Sequence, residues 1–218
     1  MILICQAVLF DLDGVLVDST PAVARVWGKW ALAHGLQPET IIARAHGRRS
    51  IETIRDVAPD MDAEQENLRV EQMEIEDKDG VTALPGAVQL LGSLPQDRFA
   101  IVTSATRALA MARVAYAGLP LPKHVVSADD VVDGKPSPEP YLKGAELLGF
   151  APHDCVVLED APAGIVSAQK AGMRVIALPN TYPAQDLAGA TAIVKSLEEI
   201  EVHMSGESLR LHGAKLLP

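Results

Sequence analysis

Asp11 and Asp13 stand two residues apart in the stretch DLDGVLVDS, directly after the apolar run Ala7-Val8-Leu9-Phe10. Residues i and i+2 of an extended chain share a face, so both carboxylates can address one ligand. Two like charges at the end of a buried strand are unfavourable unless something positive sits between them. Other polar groups occupy comparable places: Thr103 and Ser104 in VTSAT, Lys135 in DGKPSPEPY, and Glu159 and Asp160 in VVLEDAPAG. Carboxylate oxygens gathered at one point make a hard-oxygen site suited to Mg²⁺, which keeps waters and bridges to a substrate phosphate. One aspartate of the pair could attack phosphorus while the other handles protons. Lys135 and the Ser104 hydroxyl would neutralise and orient the phosphoryl oxygens, and Gly14 lets backbone N–H groups approach an anion.

These groups act together only if the fold gathers them. Each follows a short apolar run rich in Val and Ile: Ile4 to Phe10, Phe99 to Val102, His124 to Val126 and Cys155 to Leu158, with a further run from Arg174 to Leu178. Continuous apolar strands predict burial on both faces. Helical stretches alternate with them, at 87–94, 108–117, 138–148 and 162–171, with Gly118, Gly149 and Gly172 just past three of their ends. The alternation predicts an α/β fold, a Rossmann-like parallel sheet with helices on both faces. In such a sheet ligands bind beyond the carboxyl ends of the strands, where the polar groups stand. Residues 19–80 break the pattern. Helical periodicity from Thr20 to His34 and from Ser50 to Asp77, without a strand, predicts an all-helical domain inserted into a core of residues 1–18 and 81–218. The acidic segment AEQENLRVEQMEIEDK within it reads as an amphipathic helix whose glutamates mostly face solvent.

The 218 residues carry a formal charge of −10 and are 48% hydrophobic. This is ordinary for a globular protein and offers no basic stripe to nucleic acid, which excludes it as a general partner. A local cation or metal can still dominate a pocket for a small phosphorylated metabolite. No run is long enough for a membrane span, and the opening MILICQAVLF lacks the basic and small-residue features of a signal peptide. Cys5 and Cys155 lie in apolar runs, which predicts buried free thiols and a cytoplasmic location. A monomer is the default expectation, and the tail segment SLRLHGAKLL reads as a terminal strand.

Singly, each polar group has a local explanation. Either aspartate could form a turn, Thr103 and Ser104 could cap the next helix, Lys135 could be a solvated loop lysine, and Asp160 could cap the helix at Pro162. Four segments placed by one topological rule argue against taking them singly. DLDGVLVDS, VTSA, GKPSPEPY and EDAPAG, in this order, resemble the four motifs of the haloacid dehalogenase-like hydrolase superfamily, over residues 5–195. The helical insert resembles that family's cap, and VTALPGA, IVTSAT and CVVLEDAPAGI are most similar to its bacterial sugar phosphatases. The resemblance implies Asp11 as the nucleophile that forms an aspartyl-phosphate and Asp13 as the general acid/base. It implies Mg²⁺ held by Asp160, Asp11 and the backbone carbonyl of Asp13, with Glu159 acting through a water or on the ligands. Lys135 would pair with phosphate and Asp11. Ser104 takes the hydroxyl position, with Thr103 the adjacent alternative and Ala105 beside them. In the insert, AHGRRS places His46, Arg48 and Arg49 in a segment that faces the active site in the family, either as substrate contacts or as a solvated basic turn.

One residue departs from the pattern: Val15 stands where many family phosphatases carry threonine, and valine there also occurs in family phosphomutases. The expected function is therefore Mg²⁺-dependent hydrolysis of small sugar or sugar-alcohol phosphates. The alternatives are a phosphomutase resembling β-phosphoglucomutase and a non-enzymatic phosphate-binding protein. A dehalogenase would need neither Asp13 nor Asp160.

Overall fold

The computed structural model describes residues 2–45, 47–206 and 208–213. The chain begins with β1 (Ile2–Cys5) and β2 (Ala7–Phe10), then β3 (Val17–Asp18). A helical segment follows: α1 (Thr20–Ala33), α2 (Pro38–Ala45), α3 (Ser50–Val57) and α4 (Ala63–Glu76). The chain returns through β4 (Thr82–Ala83), α5 (Ala87–Ser93), β5 (Phe99–Val102), α6 (Arg107–Tyr116) and β6 (Val125–Val126). Then come α7 (Glu139–Leu148), β7 (Cys155–Glu159), α8 (Pro162–Lys170), β8 (Arg174–Ala177), β9 (Ala192–Ile193), β10 (Ile200–Ser205) and β11 (Ser208–Gly213).

Six described strands form a parallel sheet in the order β6-β5-β2-β7-β8-β9. The side-chain period of two explains its layering. Val8 and Phe10 pack with Leu90 and Leu91 of α5 and Val114 of α6, while Ala7 and Leu9 pack on the other face with Tyr141 of α7 and Ile165 of α8. The chain leaves the central strand β2 toward β5 on one side and β7 on the other. The strand order therefore reverses at β2, where open α/β sheets form their binding crevice.

The single strand expected over Ile4 to Phe10 is two strands in two sheets. At Gln6 the chain bends: its N–H donates to Asp154 O at 2.7 Å, and its side chain is held by Ser208 and Arg98. Residues 2–5 then pair antiparallel with β11, which pairs with β10. The expected terminal strand is thus β11, as far as Gly213; residues 214–218 lie outside the described residues.

The helical segment has its own apolar centre, with Trp27, Trp30, Ile41, Ile54 and Val70 buried together. The sequence pattern merges α3 and α4 into one stretch and misses α2. Pro59 interrupts the run, and Asp62 restarts it by accepting a hydrogen bond from Gln65 N at 3.1 Å. Val17↔Ala83 and Asp18↔Thr82 pair the two chain crossings between the helices and the sheet. The glutamates of α4 depart from expectation too. Glu66 and Glu74 are buried and Glu71 is half-buried, because Trp30 offers Glu66, Arg113 offers Glu74, and Asn67 and Ser50 offer Glu71 a partner. Among the described residues no helix is long and apolar enough to cross a membrane.

Candidate active site

Asp11 is the first residue past β2, and its N–H still donates to Leu158 O at 3.0 Å, so the neighbouring strand fixes its direction. The fully buried Leu12 then turns inward, and the chain folds back tightly, with Gly14 N–H donating to Val17 O at 2.8 Å. Gly14 has φ of 79°, and a Cβ there would collide with the Asp160 carboxylate and the Thr181 hydroxyl. Glycine is thus required both by backbone conformation and by the approach of the β7 loop.

Lys135 reaches into this corner from the loop after β6. Its ammonium lies 2.5 Å from Asp11 Oδ1, 2.7 Å from Glu159 Oε1 and 3.2 Å from Val102 O, and it is buried. Burial alone would lower its pKa, but Asp11 and Glu159 outweigh burial and hold it above the ordinary lysine value. Glu159 is fully engaged: Oε1 also accepts from Tyr141 OH at 2.9 Å, and Oε2 accepts from the N–H groups of Asp160 and Ala161, both at 2.9 Å. Burial pushes Asp11 up to about 7 despite Lys135, with Glu159 and Asp13 adding to the rise. Asp160 is raised by burial first, then by Glu159 and Asp11. Asp11, Glu159 and Asp160 each bring a carboxylate oxygen within 4.8 Å of the others. Three buried carboxylates against one ammonium leave a surplus of negative charge among hard oxygen donors, which suits a divalent cation.

Asp13 is close in sequence but sits in different surroundings. Its Oδ1 accepts from Ser19 Oγ and its Oδ2 from Arg113 Nη1, both at 2.7 Å. Arg113, buried on α6, also reaches Glu74 of α4 at 3.4 Å. The two aspartates therefore face separate cations.

Thr103, Ser104 and Ala105 follow β5. Thr103 is buried, and its hydroxyl accepts from Ala105 N at 3.1 Å; Ser104 and Ala105 are half-buried in the cleft wall. The N-cap of α6 is Thr106 and that of α8 is Ala161, neither with a side-chain cap, so the capping roles open to Thr103, Ser104 and Asp160 are not the ones they fill. Asp11, Asp13, Thr103, Ser104, Ala105 and Arg48 line one cleft of about 580 Å³ between the sheet edge and the helices, counting its solvent-open part. Arg48 pairs with Asp56 at 2.8 Å. Arg49 is not brought into the cleft: its guanidinium donates to the carbonyls of Ala128, Val131 and Val132, tying the helices to the loop after β6. His46 lies outside the described residues. Val15 is fully buried in the core and does not line the cleft.

The sequence pattern alone missed Arg113, Glu71, Glu74, Tyr141 and Thr181. Arg113 carried a signal, since it interrupts the buried stripe Leu109-Ala110-Val114 of α6, where a lone arginine needs a buried partner. Thr181 carried none, because a lone threonine in a loop points to no particular partner.

A family model of haloacid dehalogenase-like hydrolases matches residues 5–172. Hexitol phosphatase A of Escherichia coli (strain K12) is 46% identical over 203 residues, covering 91% of this chain and 94% of the relative. Glycerol-1-phosphate phosphohydrolase 2 of Saccharomyces cerevisiae is 37% identical over 212 residues, covering 90% and 84%. Among solved structures, a hydrolase from Pseudomonas syringae superposes with a TM-score of 0.78 at 28% identity, covering 88% of this chain and 93% of that one. The chain belongs to the haloacid dehalogenase-like hydrolases. Within that family it is a phosphoric monoester hydrolase.

Proposed function

We propose that this enzyme hydrolyses phosphate esters of small sugars or sugar alcohols through an aspartyl-phosphate on Asp11, with Mg²⁺ as cofactor. The observation that carries the reading is the separate pairing of the two aspartates, Asp11 with Lys135 and Asp13 with Arg113 and Ser19. An Asp11 oxygen attacks phosphorus as the ester P–O bond breaks, and Asp13 delivers a proton to the departing alkoxide. Asp13 then takes a proton from water, whose oxygen attacks the same phosphorus. The bond to Asp11 breaks, and inorganic phosphate leaves. Lys135 holds Asp11 in place, and Ser104, with Thr103 behind it, orients phosphoryl oxygens.

Asp11, Asp160 and the Asp13 carbonyl would hold Mg²⁺; all four bonds that engage Glu159 leave it to fix Lys135 and the Asp160 turn. When bound, the ion would offset the carboxylate surplus and draw charge from the phosphoryl group. The helices of residues 19–80 act as a cap, with Arg48 at the cleft, and exclude bulk water on closing. Names of the relatives support a sugar-alcohol ester. The charge of −10 supports an enzyme without nucleic acid or membrane as a partner, and the buried free cysteines support a cytoplasmic location, with a monomer as the default.

The test is a screen of sugar, polyol and glycolytic phosphate esters with and without Mg²⁺. Turnover is expected only with the ion, and Asp11→Asn is expected to reduce it by about 10⁵-fold or more. An active Asp11→Asn protein would remove the nucleophile assignment.

A further inference from the structure

The far wall of the cleft carries charge and hydroxyl groups that the reaction leaves unused. Glu71 and Glu74 of α4, Ser50 of α3 and Thr106 at the start of α6 line it together with Trp27. Glu71 is anchored on one oxygen, with Asn67 Nδ2 donating to Oε1 at 3.0 Å and Ser50 Oγ donating to Asn67 Oδ1 at 2.6 Å. The Thr106 hydroxyl lies towards the same carboxylate, yet Oγ1 is buried without a partner at hydrogen-bond distance among the described residues. A buried hydroxyl left unmatched costs free energy unless a ligand group completes it.

The cations of this cleft are already committed. Arg113 is held by Asp13 and Glu74, and Arg48 by Asp56, with Glu52 at 3.9 Å. A second phosphate or a carboxylate on the substrate would thus meet Glu71 without an unpaired counter-charge among the described lining residues. Glu71 already bears a penalty for its own charge: burial raises its carboxyl above the ordinary range, and nearby Asp129 adds to the rise. A neutral hydroxyl could instead donate to Glu71 and exchange a hydrogen bond with Thr106.

We propose that Glu71, with the Thr106 hydroxyl, is the specificity determinant of the cleft, accepting uncharged polyhydroxyl leaving groups and rejecting esters that carry a second anionic group. This rests on the hydrolase reading above and adds to it a basis for choosing among esters. Polar groups built to bond a hydroxyl discriminate strongly because they are left unpaired by the wrong ligand.

The experiment measures kcat/KM of the Mg²⁺-loaded enzyme for glycerol 1-phosphate and for phosphoglycolate, which are similar in size and differ in the charge of the leaving group. The wild-type ratio is expected to favour the glycerol ester by about 100-fold or more. Glu71→Gln keeps the shape and removes the charge, and should lower that ratio by about tenfold, chiefly by a gain on phosphoglycolate. Thr106→Val should lower it by about fivefold through a higher KM for the glycerol ester alone. A ratio unchanged in both variants, with the two esters losing activity equally, would overturn the assignment and leave Glu71 a structural residue. Failure of the wild-type enzyme to turn over any ester of the screen would instead overturn the hydrolase reading on which this one stands.

Discussion

At the sheet edge, Lys135 is buried between Asp11 and Glu159, and both oxygens of Glu159 are bonded. On the opposite wall, Glu71 is half-buried and anchored through one oxygen, and the Thr106 hydroxyl has no partner at hydrogen-bond distance among the described residues. The two regions meet one cleft with opposite degrees of completion. A reacting group has to be held within a fraction of an ångström, which the closed network of the sheet edge provides. A surface that selects among ligands must instead leave donors and acceptors for the ligand to complete. Saturation of polar partners therefore separates the reacting end of the cleft from the selecting end.

The largest test of this contrast is at Lys135. Lys135→Met keeps a chain of similar length and leaves Asp11 and Glu159 without their cation. Removing one member of a buried charged network costs about 3–5 kcal/mol of stability, and loss of a preorganised charge at the phosphoryl site costs about 10³-fold in kcat/KM. Denaturant titration and steady-state kinetics read the two effects. A variant of wild-type stability would show that the closed network is dispensable. Arg113→Met comes next. With Arg113 gone, Asp13 keeps Ser19 alone as a side-chain partner among the described residues, so kcat should fall about 100-fold, most of it through the misplaced proton donor. Arg113→Lys should recover part of the loss, since lysine restores the charge but not both directions of the fork toward Asp13 and Glu74. Equal losses in the two variants would remove Arg113 from the positioning of Asp13.

The same contrast explains what could be read from the chain. The sheet-edge residues follow strands whose buried character is written in consecutive apolar residues, and one topological rule places all of them. Asp11, Thr103, Lys135, Glu159 and Asp160 were therefore legible as a group, together with the parallel sheet. The selecting wall was not. Glu71 and Glu74 sit in a helix where acidic residues at most positions look solvated, and the packing of α4 against α1, α3 and α6 decides which are enclosed. Arg49 misled for a related reason. An arginine in a turn fits a substrate contact or a solvated basic residue equally well, and its tie between elements shows only once the carbonyls of residues 128, 131 and 132 are placed beside it. The bend at Gln6 was hidden because β1 is apolar enough to continue β2, and its true partner, β11, lies about 200 residues away.

The smallest expected effect concerns pH and the divalent cation. Asp11 is raised from an ordinary 3.8 to about 7 in the folded chain, and Asp160 is raised in the same direction, in both cases by burial before any other cause. A carboxyl with a raised folded pKa favours the folded state most below its unfolded value and loses that contribution as pH rises through the folded one. The protein stripped of divalent cations should therefore lose stability between about pH 4 and pH 7. Mg²⁺ binds the deprotonated carboxylates, so its stabilising effect should grow over the same window. Thermal melts with and without millimolar Mg²⁺ should differ by several degrees at pH 8 and converge near pH 5, a shift of about the size that ligand linkage gives a domain of this length. The selecting wall makes the control: Glu71→Gln should leave the pH dependence of the Mg²⁺ effect in place, because Glu71 lies outside the Asp11, Glu159 and Asp160 cluster. An Mg²⁺ shift of equal size at pH 5 and pH 8 would mean that the ion does not compete with protons at Asp11 and Asp160, and would move the metal away from the closed end of the cleft.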